Sequence, residues 1–291
     1  MRFFSLFTGI GGLEFGIRNK AESVGFSEIN KVSEKIYLNH YPLEMNYGDL
    51  RKITKFPDFD ILLGGFPCQS FSLKGFRKGF IDGRGKMIFY IFNLLKSKSP
   101  NYVVLENVKG IVSHNGGKTF ESVLKLLYKA GYYVRVISLN ALNYGSAQNR
   151  ERVFFLGCKD DFEKKQVEIR DDSKRFRDIR DKKGEYNYIN LTEFNKRKIE
   201  QKNGDYNYEL IGGYDRVGAL CTSYGGGEKL VYDEGRYRYL TISECEKLQN
   251  FPDGWVNGVS NSQAYAALGN AVNCNMSDYL FNDYLSGLWW Q

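Results

Sequence analysis

Short apolar segments alternate with helix-like segments along the first 160 residues of the chain. Apolar runs that predict buried strands lie at 2–7, 23–29, 60–63, 102–105, 132–139 and 153–156. Segments in which apolar residues recur with helical spacing lie at 13–17, 31–40, 87–95 and 119–130. Strands that alternate with helices form βαβ units, and this order therefore predicts an α/β fold.

The pattern changes after Lys159. Residues 160–203 carry mixed charge and few aliphatic side chains, which indicates a domain boundary. The Tyr-Asn-Tyr sequence at 186–188 is repeated at 206–208, and we expect two similar β segments there. Helical spacing returns at 243–250, where a Phe-Pro pair ends it, and in a last stretch at 263–284.

The composition is that of a globular protein. Of 291 residues, 42% are hydrophobic and 15% are aromatic, and no run of eighteen apolar residues occurs. The basic first residues are interrupted by Thr8-Gly9 too early for a signal peptide, so we expect a cytosolic protein. The formal net charge of +7 fits an anionic partner such as nucleic acid, but many soluble proteins are mildly basic and charge alone leaves the partner open.

The cysteines and histidines do not follow the spacing of a metal site. The histidines are His40 and His114, and no Cys-x-x-Cys pair occurs among the five cysteines, which are Cys68, Cys158, Cys221, Cys245 and Cys274. Structural zinc is therefore disfavoured, and we expect no metal. An odd number of widely spaced cysteines also gives no disulfide framework, which favours reduced thiols.

Glycines follow the first predicted strand, in the sequence Phe7-Thr8-Gly9-Ile10-Gly11-Gly12. Such a turn lets the backbone approach a ligand closely, as in nucleotide-binding α/β folds, and a plain tight turn is the alternative. The Gly-x-Gly-Gly spacing fits the dehydrogenase fingerprint poorly, which disfavours a nicotinamide-dependent enzyme. Glu28 and Asp49 follow at later segment ends, where carboxylates commonly bind ribose. Each acid alone is better explained as a solvated or capping residue, but together with the glycines they indicate an adenosine-type pocket.

A cysteine follows the third predicted strand, in the sequence Gly64-Gly65-Phe66-Pro67-Cys68-Gln69-Ser70. Pro67 fixes its own φ and favours an extended Phe66, so the chain leaves the strand through a defined turn just before the sulfur. We therefore expect an accessible, nucleophilic thiol at Cys68, although a lone cysteine is more often a small buried side chain. The next residues are rich in Gly, Lys and Arg, which is typical of a loop that closes over a polyanion; a solvated surface loop is the alternative.

Two further polar positions accompany this cysteine. Glu106 follows the apolar run at 102–105, which predicts a second polar group at the same sheet edge as Cys68. Alternate residues of an extended segment share a face, so Arg150 and Arg152 are expected to point the same way and Glu151 the other way, as a structural partner.

Taken together, these motifs resemble those of the DNA cytosine-5 methyltransferase family, of the bacterial or phage restriction-modification type. The resemblance covers nearly the whole chain and rests on the segments 7–12, 67–69, 106–108, 148–152 and 269–272. It implies a doubly wound, mostly parallel sheet of the Rossmann-like, S-adenosylmethionine-dependent type. It also implies a catalytic and cofactor-binding domain at 1–160 plus 262–291, and a small, irregular, β-rich target-recognition domain at 161–261, which is shorter than is usual in the family.

The resemblance implies that a methyl group passes from S-adenosylmethionine to carbon 5 of a cytosine flipped out of duplex DNA. Cys68 would add to carbon 6 of the base, Glu106 would bond ring nitrogen 3 and the exocyclic amine, and Arg152 would hold the carbonyl oxygen. Arg150 would be a phosphate or loop contact. The implied cofactor residues are Phe7, Gly9, Ile10, Gly11, Gly12, Glu28, Ile29, Asp49, Leu50, Pro67, Asn270 and Ala271. Relatives often carry Trp at the position of Ile29, so apolar packing is kept there but an aromatic face is lost.

The partner implied by the resemblance is double-stranded DNA. The expected DNA contacts are Ser72, Lys74, Arg77, Lys78, Arg84, Tyr224, Gly225 and Gly226. We further expect a monomer, no membrane, a place in the prokaryotic cytosol near the nucleoid, and a cognate restriction endonuclease that acts on the same site. The alternatives are a methyltransferase for carbon 5 of cytosine in RNA such as tRNA, and a catalytically silent DNA-binding relative. The separate small domain favours DNA over RNA, and the intact Cys, Glu and Arg disfavour the silent relative.

Overall fold

The computed structural model describes residues 1–67, 87–162, 165–181, 186, 188–189, 209–212, 215–223, 225, 229–233 and 235–289. The strands in these ranges are β1 (Arg2–Leu6), β2 (Glu22–Ser27), β3 (Ile61–Gly65), β4 (Tyr102–Val108), β5 (Tyr133–Asn140), β6 (Gln148–Asn149), β7 (Glu151–Cys158), β8 (Glu209–Ile211), β9 (Val217–Gly218), β10 (Lys229–Asp233) and β11 (Arg236–Tyr239). The α-helices are α1 (Lys31–His40), α2 (Met87–Lys98), α3 (Lys118–Lys129), α4 (Phe176–Ile179), α5 (Ile242–Leu248), α6 (Asn261–Asn270) and α7 (Cys274–Asp278), and a π-helical segment, Tyr279–Tyr284, follows α7.

Six strands form the main sheet, in the order β2-β1-β3-β4-β7-β5. The first four are parallel neighbours, whereas β7 runs antiparallel to β4. Two small sheets, β11-β10-β8 and β6-β9, complete the described strands. A mostly parallel sheet with helical connections and additional small sheets confirms the predicted Rossmann-like α/β fold.

Helices and turns cover both faces of the main sheet. Consecutive residues of a strand point to opposite faces, so the neighbours of Phe3 and Phe4 in β1 show what covers each face. Phe4 of β1 belongs to a buried apolar cluster that includes Ile91 of α2 and Leu127 of α3. Phe3, the preceding residue, is also fully buried, but the guanidinium of Arg18 lies over its ring, 5.9 Å from the centroid. Coverage of both faces is the arrangement expected of a doubly wound sheet.

Residues 10–20 form turns rather than the helix predicted after the glycines. The backbone N–H groups there bond to carbonyl groups both three and four residues earlier, which is not a regular α-helix. Gly16 lies against the backbone of Ser277, and a Cβ on Gly16 would overlap the Ser277 carbonyl group. This segment therefore packs closely on a part of the chain that is distant in sequence, and its backbone is not helical where it does so.

The helical stretch predicted at 263–284 is interrupted. The chain leaves α6 through Ala271, whose backbone is extended (φ −68°, ψ 153°). The side-chain oxygen of Asn273 then accepts hydrogen bonds from the backbone N–H groups of Asn275 (3.1 Å) and Met276 (3.2 Å). The prediction of one continuous helical stretch is wrong, because an asparagine that caps a new helix ends the preceding one.

The repeated Tyr-Asn-Tyr segments are covered only in part. Tyr188 forms an isolated antiparallel bridge with Arg238, and the backbone N–H of Ile189 bonds to the carbonyl of Tyr237 at 2.8 Å. The first segment is therefore extended at Tyr188. Residues 206–208, the second segment, lie outside the described residues.

Backbone contacts divide the chain into two compact units. The first contains Met1–Leu139, Glu151–Glu168 and Ser277–Gln291, and the second contains Asn140–Arg150 and Ile169–Met276. The second unit thus takes in 140–150 and 262–276, which the sequence assigns to the catalytic domain. The functional domain boundaries at 160 and 262 stay a prediction.

The described residues contain neither a membrane-spanning helix nor a cluster of metal-binding side chains. Among the described residues, no helix combines the length and the apolar content that crossing a bilayer requires. Within the same ranges, no group of three or more His, Cys, Asp or Glu side chains is placed to hold a metal ion.

Candidate active site

A carboxylate and a guanidinium meet on neighbouring strands of the main sheet. Glu106 lies in β4 and Arg152 in β7, and the guanidinium Nε of Arg152 donates to Oε1 of Glu106 at 2.9 Å. In the antiparallel register Glu106 is opposite Phe154 and Val108 is opposite Arg152. Glu106 and Arg152 are therefore diagonal neighbours on one face of the sheet, where long side chains can meet. Both side chains are close to nine-tenths buried, at 11% and 12% exposed. A pair this sheltered from water is held in a defined geometry.

Glu106 stands beside the end of the strand that leads to the cysteine. Gly65, the last residue of β3, is the parallel register partner of Glu106. The next residue, Asn107, donates from Nδ2 to the backbone carbonyl of Phe66 at 2.7 Å, and this bond is buried. The backbone just before Pro67 is thus fixed to β4. Cys68 itself lies outside the described residues.

Glu151 has the structural partner that the sequence indicates. Its carboxylate forms an ion pair with Lys109, which lies just beyond the end of β4. The pair is partly exposed, so its effect on stability is small. It connects β7 to the chain that follows Glu106 and Asn107.

Arg150 is expected to contact a phosphate or a loop, and its burial disfavours the phosphate contact. Its side chain is 1% exposed and donates to the backbone carbonyls of Leu220 (3.1 Å), Gly269 (2.8 Å) and Ala271 (2.7 Å). A guanidinium buried among carbonyl groups is not accessible to a DNA backbone. We therefore assign Arg150 a structural role within the second unit, where it holds the chain at the end of α6.

The glycine-rich turn has the unusual backbone that its sequence indicates. Phe7 has a positive φ of 54°, and Gly9 and Gly11 have φ values of 61° and 90°. A side chain at Gly11 would meet the ring of Tyr37 at 3.2 Å. A chain of L residues with bulky side chains cannot easily adopt this path, so the glycines are required by conformation and by space. Ile10 within the turn is 1% exposed and anchors it in the core.

Glu28 closes this turn from the neighbouring strand. Its carboxylate accepts from the backbone N–H of Gly9 (2.9 Å) and of Asn30 (2.7 Å). Asn46 fixes Glu28 in turn, since its side chain accepts from the Glu28 N–H (3.1 Å) and donates to the Glu28 carbonyl (2.9 Å). The adjacent Ile29 is 65% exposed, although it is a large aliphatic residue. A carboxylate next to an exposed apolar side chain suits a ribose next to an adenine ring.

The carboxylate of Asp49 forms an ion pair with Arg51. The carboxylate of Asp49 accepts from Nε (2.8 Å) and Nη2 (2.6 Å) of Arg51 and also caps the short helix Leu50–Lys52. The hydrogen bonds from Arg51 lower the pKa of Asp49 below its usual value. Leu50 is buried beside it, at 5% exposed. A carboxylate held in this way is a fixed acceptor, which fits contact with an amine.

One polar atom in the glycine-rich turn is unsatisfied. The buried hydroxyl of Thr8 has no hydrogen-bond partner among the described residues. Such orphaned groups are uncommon in folded proteins. Together with Glu28 and Ile29, this atom indicates that the turn is shaped for a polar ligand with an apolar ring, and S-adenosylmethionine is of that kind.

Some of the remaining predicted site residues lie in the described part of the chain, and the others lie outside it. Asn270 ends α6 with its side chain exposed, Ala271 is buried after it, and Pro67 is exposed after β3. Gly225 is buried with a φ of 70°, and a Cβ there would overlap the ring of Tyr239. Outside the described residues lie Cys68, Ser72, Lys74, Arg77, Lys78, Arg84, Tyr224 and Gly226.

The described cysteines differ in accessibility. Cys158, Cys245 and Cys274 are buried, whereas Cys221 is exposed. Burial raises the pKa of the Cys158 and Cys245 thiols, which disfavours the nucleophilic thiolate.

Sequence reasoning assigned no role to Asn46, Asn107 and Gly65. Each acts on a residue that is distant in sequence or lies on another strand: Asn46 on Glu28, Asn107 on Phe66, and Gly65 by its position beside Glu106. The order Glu106-Asn107 offered a signal for one of them, because a polar side chain next to a buried acid in a strand points to the opposite face.

The chain is similar in sequence to proteins of known families. A model of the family described as C-5 cytosine-specific DNA methylase matches residues 1–286. The orphan methyltransferase M.Rho11sI of Bacillus phage rho11s is 43% identical over 168 residues, which cover 55% of this chain and 33% of the phage protein. The Type II methyltransferase M.HhaI of Haemophilus parahaemolyticus is 32% identical over 312 residues, which cover 96% of this chain and 93% of that protein.

The fold is also found among solved structures. The Dnmt2 methyltransferase of S. pombe has a TM-score of 0.81 at 22% identity, and the match covers 99% of both chains. This likeness concerns the fold. The chain spans about a third of the length of the phage relative and nearly all of the Haemophilus relative.

Proposed function

Because the chain belongs to the C-5 cytosine-specific DNA methylase family, we propose that it methylates carbon 5 of cytosine within a specific sequence of duplex DNA. The observation that carries the proposal is the buried pair of Glu106 and Arg152, held next to the end of the strand that leads to Cys68. An acid and a guanidinium at this place match the polar edge of a cytosine, which presents a ring nitrogen, an exocyclic amine and a carbonyl oxygen.

Carbon 5 of cytosine is too weak a nucleophile to take a methyl group directly. The reaction therefore requires a nucleophile of the protein, whose addition to the ring makes carbon 5 electron-rich. The thiolate of Cys68 adds to carbon 6, and the electrons of the 5,6 double bond move toward carbon 5 and the ring. Glu106 shares a proton with ring nitrogen 3 and accepts from the exocyclic amine, which offsets the charge that addition places on the ring. Arg152 donates to the carbonyl oxygen of the base and orients Glu106. Carbon 5 would then take the methyl group from the sulfonium of the cofactor, which would leave as the neutral thioether. Transfer of the carbon 5 proton to a solvent water molecule, with cleavage of the carbon–sulfur bond, would restore the 5,6 double bond and regenerate the thiolate.

The methyl group is supplied by S-adenosylmethionine when it is bound. The residues that would hold it are the turn Phe7–Gly12, Glu28 for the ribose hydroxyls, Ile29 for one face of adenine and Asp49 for its amine, with Leu50, Pro67, Asn270 and Ala271 as further contacts. The fit is supported by the unsatisfied Thr8 hydroxyl and by the exposure of Ile29 beside the Glu28 carboxylate.

The proposed substrate is double-stranded DNA, from which the target base is flipped out at a cost of a few kcal/mol. The basic residues Lys74, Arg77, Lys78 and Arg84 would contact phosphates, and Ser72, Tyr224, Gly225 and Gly226 would be further DNA contacts. We also propose a monomer in the prokaryotic cytosol that acts beside a restriction endonuclease of the same specificity, in line with the restriction-modification relatives.

The test is methyl transfer to nucleic acid. The protein is incubated with S-adenosylmethionine labelled in its methyl group, and with duplex DNA in one sample and tRNA in the other. Label at carbon 5 of cytosine in DNA is the expected result. Label in tRNA alone would establish the RNA methyltransferase instead, and DNA binding without transfer to either polymer would establish the silent relative. Glu106→Gln serves as the matched control and is expected to transfer the methyl group much more slowly, at a rate that is still measurable.

A further inference from the structure

The two glycines that end β3 have different surroundings. A Cβ on Gly64 would meet Cβ of Leu6 at 3.2 Å and the Leu6 carbonyl oxygen at 3.3 Å, so Gly64 provides room for the neighbouring strand. A Cβ on Gly65 would meet a single described atom, Oε2 of Glu106, at 3.0 Å. The bare Cα of Gly65 therefore provides room for a carboxylate oxygen rather than for the fold.

The carboxylate has little freedom to move away from such a Cβ. Its other oxygen, Oε1, is held by Nε of Arg152 at 2.9 Å, and Glu106 is buried. The backbone of β3 is equally restrained, because Gly65 is in register with Glu106 and the Asn107 side chain holds the Phe66 carbonyl at 2.7 Å. Any atom added at Gly65 must be accommodated by a shift of the carboxylate and of its bond with Arg152.

We propose that Gly65 is a positioning residue for Glu106: the absence of its side chain keeps the carboxylate in the place where it engages the cytosine ring. This inference rests on the proposed function, since Glu106 matters here as the group that contacts the base. It assigns a role in the reaction to a residue that touches neither the base nor the cofactor.

The test compares Gly65→Ala with Gly64→Ala, which adds the same methyl group one residue earlier. Gly65→Ala is expected to keep its urea unfolding midpoint and its duplex affinity, because only the end of the Glu106 side chain is displaced. Its kcat for methyl transfer is expected to fall at least tenfold, because the displaced carboxylate no longer fits the cytosine ring. Gly64→Ala is expected to lower the unfolding midpoint, because backbone and Cβ atoms of Leu6 lie in the way, and to keep kcat per folded molecule.

A double-mutant cycle separates positioning from general damage. If Gly65 acts through Glu106, Gly65→Ala added to Glu106→Gln slows transfer by less than twofold beyond Glu106→Gln alone. Full additivity of the two effects would overturn the proposal, as would wild-type kcat in Gly65→Ala. A wild-type protein that transfers no methyl group to DNA would instead overturn the proposed function, so the two failures are distinguishable.

Discussion

A buried carboxyl group in the first unit is not explained by the proposed chemistry. Glu14 follows the glycine-rich turn and is 1% exposed. The Ser5 hydroxyl donates to one of its oxygens, while the other has no partner among the described residues. Burial raises the pKa of Glu14 from 4.5 to about 7. Folding therefore favours the protonated form, and the charged form is the costly one.

This shift predicts a loss of stability as the pH rises. Between pH 4.5 and about 7 the folded state binds more protons at Glu14 than the unfolded state does, so the free energy of unfolding falls through that window, by up to about 3 kcal/mol. Glu14→Gln, which cannot ionise, is expected to lose this dependence. Urea unfolding at pH 5 and pH 8 measures it. Glu121→Gln, an exposed helical acid, should keep the wild-type slope, and an unchanged slope in Glu14→Gln would contradict the assignment.

The nucleophile can be identified by trapping. A duplex with 5-fluorocytosine at the target cannot lose its carbon 5 substituent after methylation, so with S-adenosylmethionine the protein should remain joined to DNA on denaturing electrophoresis. Cys68→Ser is expected to abolish the adduct, because a hydroxyl lacks thiolate reactivity near neutral pH. Cys221→Ser, at the exposed cysteine of the described residues, is the control and should keep it. An adduct that maps to any cysteine other than Cys68 would refute the mechanism.

At the scale of elements, the sequence predicts what local patterns determine. The bounds of α1 match the predicted 31–40, since Asn30 caps the helix with its own side chain by accepting from Val32 N and Ser33 N. The failures lie at 10–20 and at 271–273, where distant backbone and a capping asparagine decide the conformation. The role of Gly65 could not be predicted, because it depends on the register of β3 with β4 and no local pattern encodes that register. The order Glu106-Asn107 predicts that the Asn107 side chain points to the opposite face from Glu106, but not that its partner is the Phe66 carbonyl.

The strand β11 shows how identical side chains take different roles. Arg238 is 1% exposed, donates to both oxygens of Glu244 at 2.8 and 2.9 Å, and lies over the ring of Tyr186. Arg236, two residues earlier on the same strand, is exposed and lies over the ring of Tyr188 at 3.6 Å. Among the described residues Arg236 has no carboxylate partner. Arg236 is thus available to an external anion, whereas Arg238 is neutralised by Glu244 inside the second unit.

These environments predict separate effects of the same substitution. Arg236→Gln should weaken duplex binding and reduce the slope of log K against log salt by about 0.9, because one phosphate contact is lost. Arg238→Gln should lower the urea midpoint, because it leaves the buried Glu244 carboxylate uncompensated. Titration of a labelled duplex from 50 to 200 mM salt, with urea unfolding in parallel, checks both. A wild-type salt slope in Arg236→Gln would show that this arginine does not contact DNA.

At the scale of the whole molecule, the chain carries a charge excess of +7, which favours association with DNA of any sequence. Charge on phosphates carries no base code, so sequence choice must come from another part of the chain. Residues 184–237 lie entirely within the second unit, whereas Glu106 and Arg152 lie in the first. Chemistry and sequence choice are therefore expected to be separable by exchange of a segment.

The prediction is that residues 184–237 determine the methylated sequence. Replacing them with the corresponding segment of a family member of different target should move methylation to that target, and it leaves the pair of Arg238 and Glu244 intact for packing of the new segment. Methylation-sensitive sequencing of DNA from an expressing host measures the outcome. The same exchange in Glu106→Gln is the control, and it should leave far less methylation at either site of the host DNA. The active chimaera and the wild-type protein differ only at residues 184–237. If the chimaera still methylates the original site, sequence choice lies outside this segment.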